Sequence, residues 1–126
     1  MKFKTITAKE APEAIGPYSQ AIDCGDFVFC SGQIAITPET GKLIEGGISE
    51  QTEGVIKNLK AVLKESGCDL NSVVKTTVYL KNIEDFAEMN KVYAEYFTSK
   101  PARATVEVSN LPKDALVEIE CVAMHQ

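Results

Sequence analysis

One arginine serves the whole chain. Arg103 stands in KPARATVEV, residues 100–108, and the other basic side chains, apart from the single histidine, are twelve lysines. In water either residue supplies a positive charge. A lone arginine therefore points to a task that lysine performs poorly, namely gripping a carboxylate with a planar fork of parallel hydrogen bonds. Strand alternation after Pro101 puts Arg103, Thr105 and Glu107 on one face, and Ala104, Val106 and Val108 on the other. On the last strand Glu118 and Glu120 share a face opposite Val117, Ile119, Cys121 and Ala123. The apolar sets suit a helix-covered core, which predicts that Arg103 and Glu120 meet on the uncovered face. An ion pair of Arg103 with Glu118 or Glu120 is the plainer alternative. Earlier in the chain, Ser31 and Gln33 fall on one side of their strand, and Gly32 lets the backbone approach closely.

Other routes to catalysis find little support. The four cysteines, Cys24, Cys30, Cys68 and Cys121, form no CxxC pair, and the single histidine, His125, is next to last. A zinc site calls for clustered Cys and His ligands. A serine or cysteine nucleophile calls for a well-placed histidine, which the linear order does not supply. The net charge of −5 and scattered lysines argue against nucleic acid as the main partner. There is no apolar run of membrane-spanning length and no apolar stretch of a signal peptide near the N-terminus. The expected setting is cytoplasmic, with free buried thiols rather than disulfides.

At 126 residues the chain is expected to form one domain. Residues 18–34 read as a hairpin turning at Cys24-Gly25-Asp26. A loop over TPETGKLIEGG is marked by Pro38, Gly41, Gly46 and Gly47. A helix follows from Ser49, as N-cap, to Ser66, stopped by Gly67, with Val55, Ile56, Leu59, Val62 and Leu63 as its apolar stripe. VVKTTVYL, 73–80, reads as a strand. Asn82 caps a second helix, with Asp85 in a capping-box position and Phe86, Met89, Val92, Tyr93, Tyr96 and Phe97 facing inward. Strands near 103–109 and 115–124 complete an α+β layer of one sheet with both helices on one face. The other face carries Phe27, Phe29, Leu116 and Val122 uncovered, which predicts self-association.

GPYSQA at 16–21, SGQI at 31–34, NLKAVL at 58–63, VKTTVYL at 74–80, DFAEMNKVYAEYF at 85–97, PAR at 101–103 and LPKDALVEIE at 111–120 occur in order along almost the whole chain. Together they resemble the RidA (YjgF) family of reactive-intermediate deaminases. The resemblance implies a chorismate-mutase-like α+β fold and a homotrimer with sites in clefts between subunits. It also implies hydrolysis of 2-imino acids, such as 2-iminobutanoate and 2-iminopropanoate, to 2-keto acids and ammonia. By the same resemblance Tyr18, Ser31, Gly32, Asn90 and Arg103 line the cleft, Arg103 holds the carboxylate and Glu120 positions the water. That chemistry requires no metal, cofactor or protein nucleophile. Asn90, a polar residue on an apolar helix face, is expected to bond backbone groups and shape the cleft. Many relatives carry a cysteine where this chain has Thr105, so a thiol is not essential here and Thr105 offers its hydroxyl or backbone carbonyl to substrate. Two rival readings remain at this point. One is a non-catalytic binder of small carboxylates, which Arg103 supports equally and Glu120 disfavours. The other is an RNA-acting translation inhibitor, which the acidic charge disfavours.

Overall fold

A computed structural model describes residues 2–126. Six strands, β1 (Lys4–Ile6), β2 (Ala21–Asp23), β3 (Phe27–Gln33), β4 (Val73–Leu80), β5 (Ala102–Glu107) and β6 (Val117–Met124), form one mixed sheet in the order β1-β2-β3-β6-β4-β5. Only β4 and β5 pair in parallel. They are joined through α2 (Phe86–Tyr96), the long crossover that a parallel pair demands. The longer helix, α1 (Ile48–Glu65), links β3 to β4, and β6 inserts between those two strands. The expected layer of one sheet and two helices is thus observed.

The stripe at helical spacing is the core. Val55, Ile56, Leu59, Val62 and Leu63 are fully buried, meeting Val28, Val78, Leu80, Val117 and Ile119 from the sheet. The stop at Gly67 also holds. Gly67 has φ +81° and donates to the Lys64 carbonyl, while Cys68 N–H reaches Leu63, so two otherwise orphaned carbonyls of α1 are satisfied in a Schellman motif.

Helix beginnings differ from the expectation. Gly47, not Ser49, precedes α1, and its N–H donates to Glu50 Oε1 at 2.9 Å. The Ser49 hydroxyl instead donates to Glu88 on α2. Asn82 opens a single 3-10 turn, Ile83–Asp85, without a side-chain cap, and the Ile83 N–H is taken by Glu107 Oε1 of β5 at 2.8 Å. A carboxylate distant in sequence has displaced the local cap. On α2, Met89 and Tyr93 are buried, Val92 and Tyr96 are half-buried and Phe86 is exposed, while Phe97, just past its end, is buried. The first strand, β1, has no sequence signal at three residues and forms by pairing with β2.

On the face without helices Phe27 and Phe29 are exposed with ring centroids 6.4 Å apart, and Met124 lies opposite Phe27. Val122 is half-buried there, whereas Leu116, just before β6, packs against the core.

Leu59 sits at the centre of the α1 stripe with no exposure. Truncation by Leu59→Ala is expected to cost about 2–5 kcal/mol, read from the midpoint of urea unfolding. A loss within experimental error of zero would mean that α1 is not the main cover of the sheet.

Candidate functional site

Cross-strand partners point to the same side of a sheet, so register assigns faces. Arg103 is paired with Thr76, whose other neighbour is Cys121. Thr76 and Cys121 are buried beneath the helices. Arg103, and with it Thr105 and Glu107, therefore lies on the helix-covered side. Glu120 is paired with Thr77, which also pairs with Ala104, so Glu120 lies on the uncovered side. The expectation that Arg103 and Glu120 share a face is overturned. The physical reason is that β5 is an edge strand that turns its apolar residues outward, with Val106 43% exposed.

On the covered side Arg103 is half-buried against α2. Its Nη1 donates to Asn90 Oδ1 at 2.6 Å, and its guanidinium carbon lies 4.7 Å from the Tyr93 ring centroid and 5.5 Å from that of Phe86. Asn90 thus bonds the guanidinium rather than the backbone groups expected of it. Among the described residues no carboxylate pairs with Arg103, so the ion pair with Glu118 or Glu120 does not form. The Tyr93 hydroxyl bonds Thr76 Oγ1 at 2.7 Å, which fixes the ring. Burial raises the Tyr93 hydroxyl above its usual range, keeping it neutral beside the cation. Arg103, Asn90, Tyr93, Phe97 and Lys100 line a pocket of about 610 Å³. Two residues further along β5, the Thr105 hydroxyl is buried without a hydrogen-bond partner.

On the uncovered side β3 contains a bulge. Cys30 stands opposite Cys121 and Gln33 opposite Ile119, so Ser31 and Gly32 together face the single residue Glu120. The extra residue resets the alternation, and Gln33 turns into the core instead of sharing a side with Ser31. The Ser31 hydroxyl donates to the Ser19 carbonyl at 2.6 Å, and Ser31 N–H donates to the Gln20 carbonyl. Gln20 in turn bonds Ala8 and Pro12, which fixes the segment carrying exposed Tyr18. Gly32 passes directly over Glu118, and a β-carbon there would run into its carboxylate. Tyr18, Ser31, Gly32 and Glu118 line a groove of about 580 Å³. Glu120 is outside that lining but neighbours it on the sheet, and Tyr79 donates to its Oε1 at 2.7 Å. That bond raises the Tyr79 hydroxyl above its usual range.

Tyr79 and Glu118 were not among the residues expected here. Tyr79 carried no usable signal, because its bond to Glu120 depends on β6 lying beside β4. Glu118 shares the face of Glu120 in sequence, but only Gly32 crossing over it explains its environment.

Burial pushes the Glu118 carboxyl above the ordinary carboxylate range, and the Glu120 charge adds to the shift. Its ionised form is therefore less favourable in the folded protein than in the unfolded chain. The resulting cost to stability is complete above the folded pKa and disappears as pH falls below the unfolded value of about 4.3. Glu118→Gln should accordingly raise the urea midpoint at pH 7, with the gain fading toward pH 4. Equal gains at both pH values would assign the effect to packing instead.

Comparison with known proteins yields consistent relationships. The family model described as endoribonuclease L-PSP matches residues 8–125. A RutC family protein of Pyrococcus abyssi is 59% identical, covering 98% of each chain. A human protein named 2-iminobutanoate/2-iminopropanoate deaminase is 46% identical, covering 96% of this chain and 89% of that one. The crystal structure of Escherichia coli TdcF with bound serine superposes with a TM-score of 0.93 at 38% identity, covering 98% of this chain and 99% of the other.

Proposed function

This chain belongs to the endoribonuclease L-PSP family, the YjgF/RidA proteins, and on that premise we propose that it hydrolyses small 2-imino acids to 2-keto acids and ammonium. The observation that carries the reading is the half-buried Arg103, held by a neutral amide and two rings and left without a carboxylate partner. Such a guanidinium keeps its full charge for an incoming anion. A small 2-imino acid supplies a carboxylate for it and an electrophilic C=N carbon for water. The serine bound by the relative TdcF is likewise a small amino acid with a carboxylate.

In the proposed reaction, water adds to the protonated C=N carbon as Glu120 takes its proton, and Glu120 passes that proton to the carbinolamine nitrogen. The C–N bond then breaks as the hydroxyl returns its proton to Glu120, which hands it to the departing ammonia as ammonium. Glu120 acts as the general base, and Tyr79 holds its carboxylate in place. Thr105 and Asn90 shape the carboxylate end, while Tyr18, Ser31 and Gly32 shape the opposite wall. Arg103 and Glu120 lie on opposite sides of one sheet, so the two cannot meet within one copy. We therefore assign the complete site to a cleft between copies of a homotrimer, with Arg103 from one and Glu120 from the next. The apolar residues on the uncovered face suit that contact.

Arg103→Lys keeps the charge but loses one prong. A charge-assisted hydrogen bond is worth about 1.5–3 kcal/mol, so apparent affinity for an imino acid should fall by about ten- to a hundredfold. An imine without a carboxylate should react equally with both proteins. Wild-type affinity in the lysine variant would remove the carboxylate clamp.

Glu120→Gln, nearly isosteric, should lower turnover by about a hundredfold or more while 2-keto acid binding persists. The intersubunit assignment has its own test. Arg103→Ala and Glu120→Gln chains, each nearly inactive, should recover about a quarter of wild-type activity when co-assembled at equal amounts, since one site in four then draws both intact residues. No recovery in mixed assemblies, verified by mass, would place both residues in the same copy's site or outside any site.

A further inference from the structure

The fold builds a cysteine–histidine–aspartate relay that the linear order conceals, since Cys68 and His125 are 57 positions apart. Cys68 Sγ lies 3.6 Å from His125 Nδ1, and His125 Nε2 lies 3.0 Å from Asp23 Oδ2. Three elements supply the parts: the capped end of α1, the tail after β6 and the end of β2. The tail is fixed by His125 N–H donating to the Asp26 carbonyl at 2.9 Å.

Protonation follows from the partners. Gly25 N–H donates to Asp23 Oδ1 at 2.9 Å, and this bond holds the Asp23 carboxyl below the usual carboxylate range, helped by His125. An ionised carboxylate only accepts, so Nε2 carries a proton toward Asp23, and in the tautomer with a bare Nδ1 that nitrogen presents its lone pair to Cys68. Burial raises the Cys68 thiol above its usual range, with the Asp23 and Asp69 charges acting in the same direction and a Ser72 hydrogen bond against them. The thiol therefore rests protonated and relies on an adjacent base for attack. Cys68 and His125 open onto a surface pocket of about 470 Å³, bordered by Asp69, Asn71 and Ser72, that shares no lining residue with the Arg103 pocket or the Tyr18 groove.

We propose that Cys68, His125 and Asp23 form a second reactive site, at which the thiol exchanges with small uncharged or cationic disulfides. Sγ attacks one sulfur of the disulfide as His125 Nδ1 takes the thiol proton. The disulfide's S–S bond breaks, a mixed disulfide forms on Cys68, and the departing thiolate collects the proton as a free thiol. Asp69 at the rim disfavours anionic disulfides.

The chain carries its own reference thiols. Cys24 is exposed and outside the relay, while Cys30 and Cys121 are buried. The folded protein is exposed briefly to hydroxyethyl disulfide, cystamine or dithiodipropionate, and modification at each cysteine is followed by peptide mass spectrometry. Cys68 should react about tenfold or more faster than Cys24, with cystamine preferred to dithiodipropionate. His125→Asn should slow Cys68 and leave Cys24 unchanged, and Asp23→Asn, whose charge also neighbours Cys24, should slow Cys68, with circular dichroism reporting the fold. Equal wild-type rates at Cys68 and Cys24 would overturn the proposal, as would a Cys68 rate untouched by a folded variant of either residue. A preference for dithiodipropionate would overturn the assigned disulfide class.

Discussion

The hydrogen bond from Arg103 to Asn90 governs how the candidate site is organised. A carboxylate in place of Asn90 would neutralise the guanidinium and compete with any anion arriving there. The amide fixes one prong without cancelling the charge. Its geometry depends on α2, where Phe86, Asn90 and Tyr93 follow at the i, i+4, i+7 spacing of one helix face. That face reaches Arg103 because a parallel β4–β5 pair requires a crossover, and α2 is the crossover. Helix phase, strand direction and the lone arginine form a single arrangement, reinforced where Glu107 of β5 receives the Ile83 N–H at the entry to α2.

The sheet imposes a second constraint. Alternation cannot bring residues of opposite phase to one side, so Arg103 on β5 and Glu120 on β6, with β4 between them, remain separated by the thickness of the sheet. A monomer has a cation pocket on one side and an acid-bearing groove on the other. On the proposed reading, association joins the two halves and covers Phe27, Phe29 and Met124 at the same time. Assembly would then be part of the chemistry as well as a source of stability.

Much of this was legible in the residues. The α1 stripe, the Gly67 stop, the strand at 73–80 and the Cys24–Asp26 turn follow from local periodicity and backbone preference, which tertiary packing here reinforces. Arg103 stood out by its uniqueness. Which way β5 faces was hidden because alternation says which residues share a side, not which side that is. Burying the apolar set is a sound rule for a central strand, yet β5 is an edge strand whose valine serves the open face. The caps failed for a related reason. Ser49 and Asn82 are suitable residue types, but Glu50 and the remote Glu107 captured the backbone donors. The bonds of Tyr79 to Glu120 and of Cys68 to His125 depend on which strands and termini become neighbours. Local pattern carries no information about that.

The Ser31–Gly32 bulge makes this stretch intolerant of any change in length. One residue fewer between Cys30 and Gln33 would restore simple alternation with Gln33 still opposite Ile119 and still inward, but it would remove the local kink that carries Gly32 over Glu118. Nearby loops can absorb insertions, because their backbone need only rejoin the fold. Here the count of residues itself carries structural information, so homologous chains are expected to vary in residue type at this strand while keeping its length fixed.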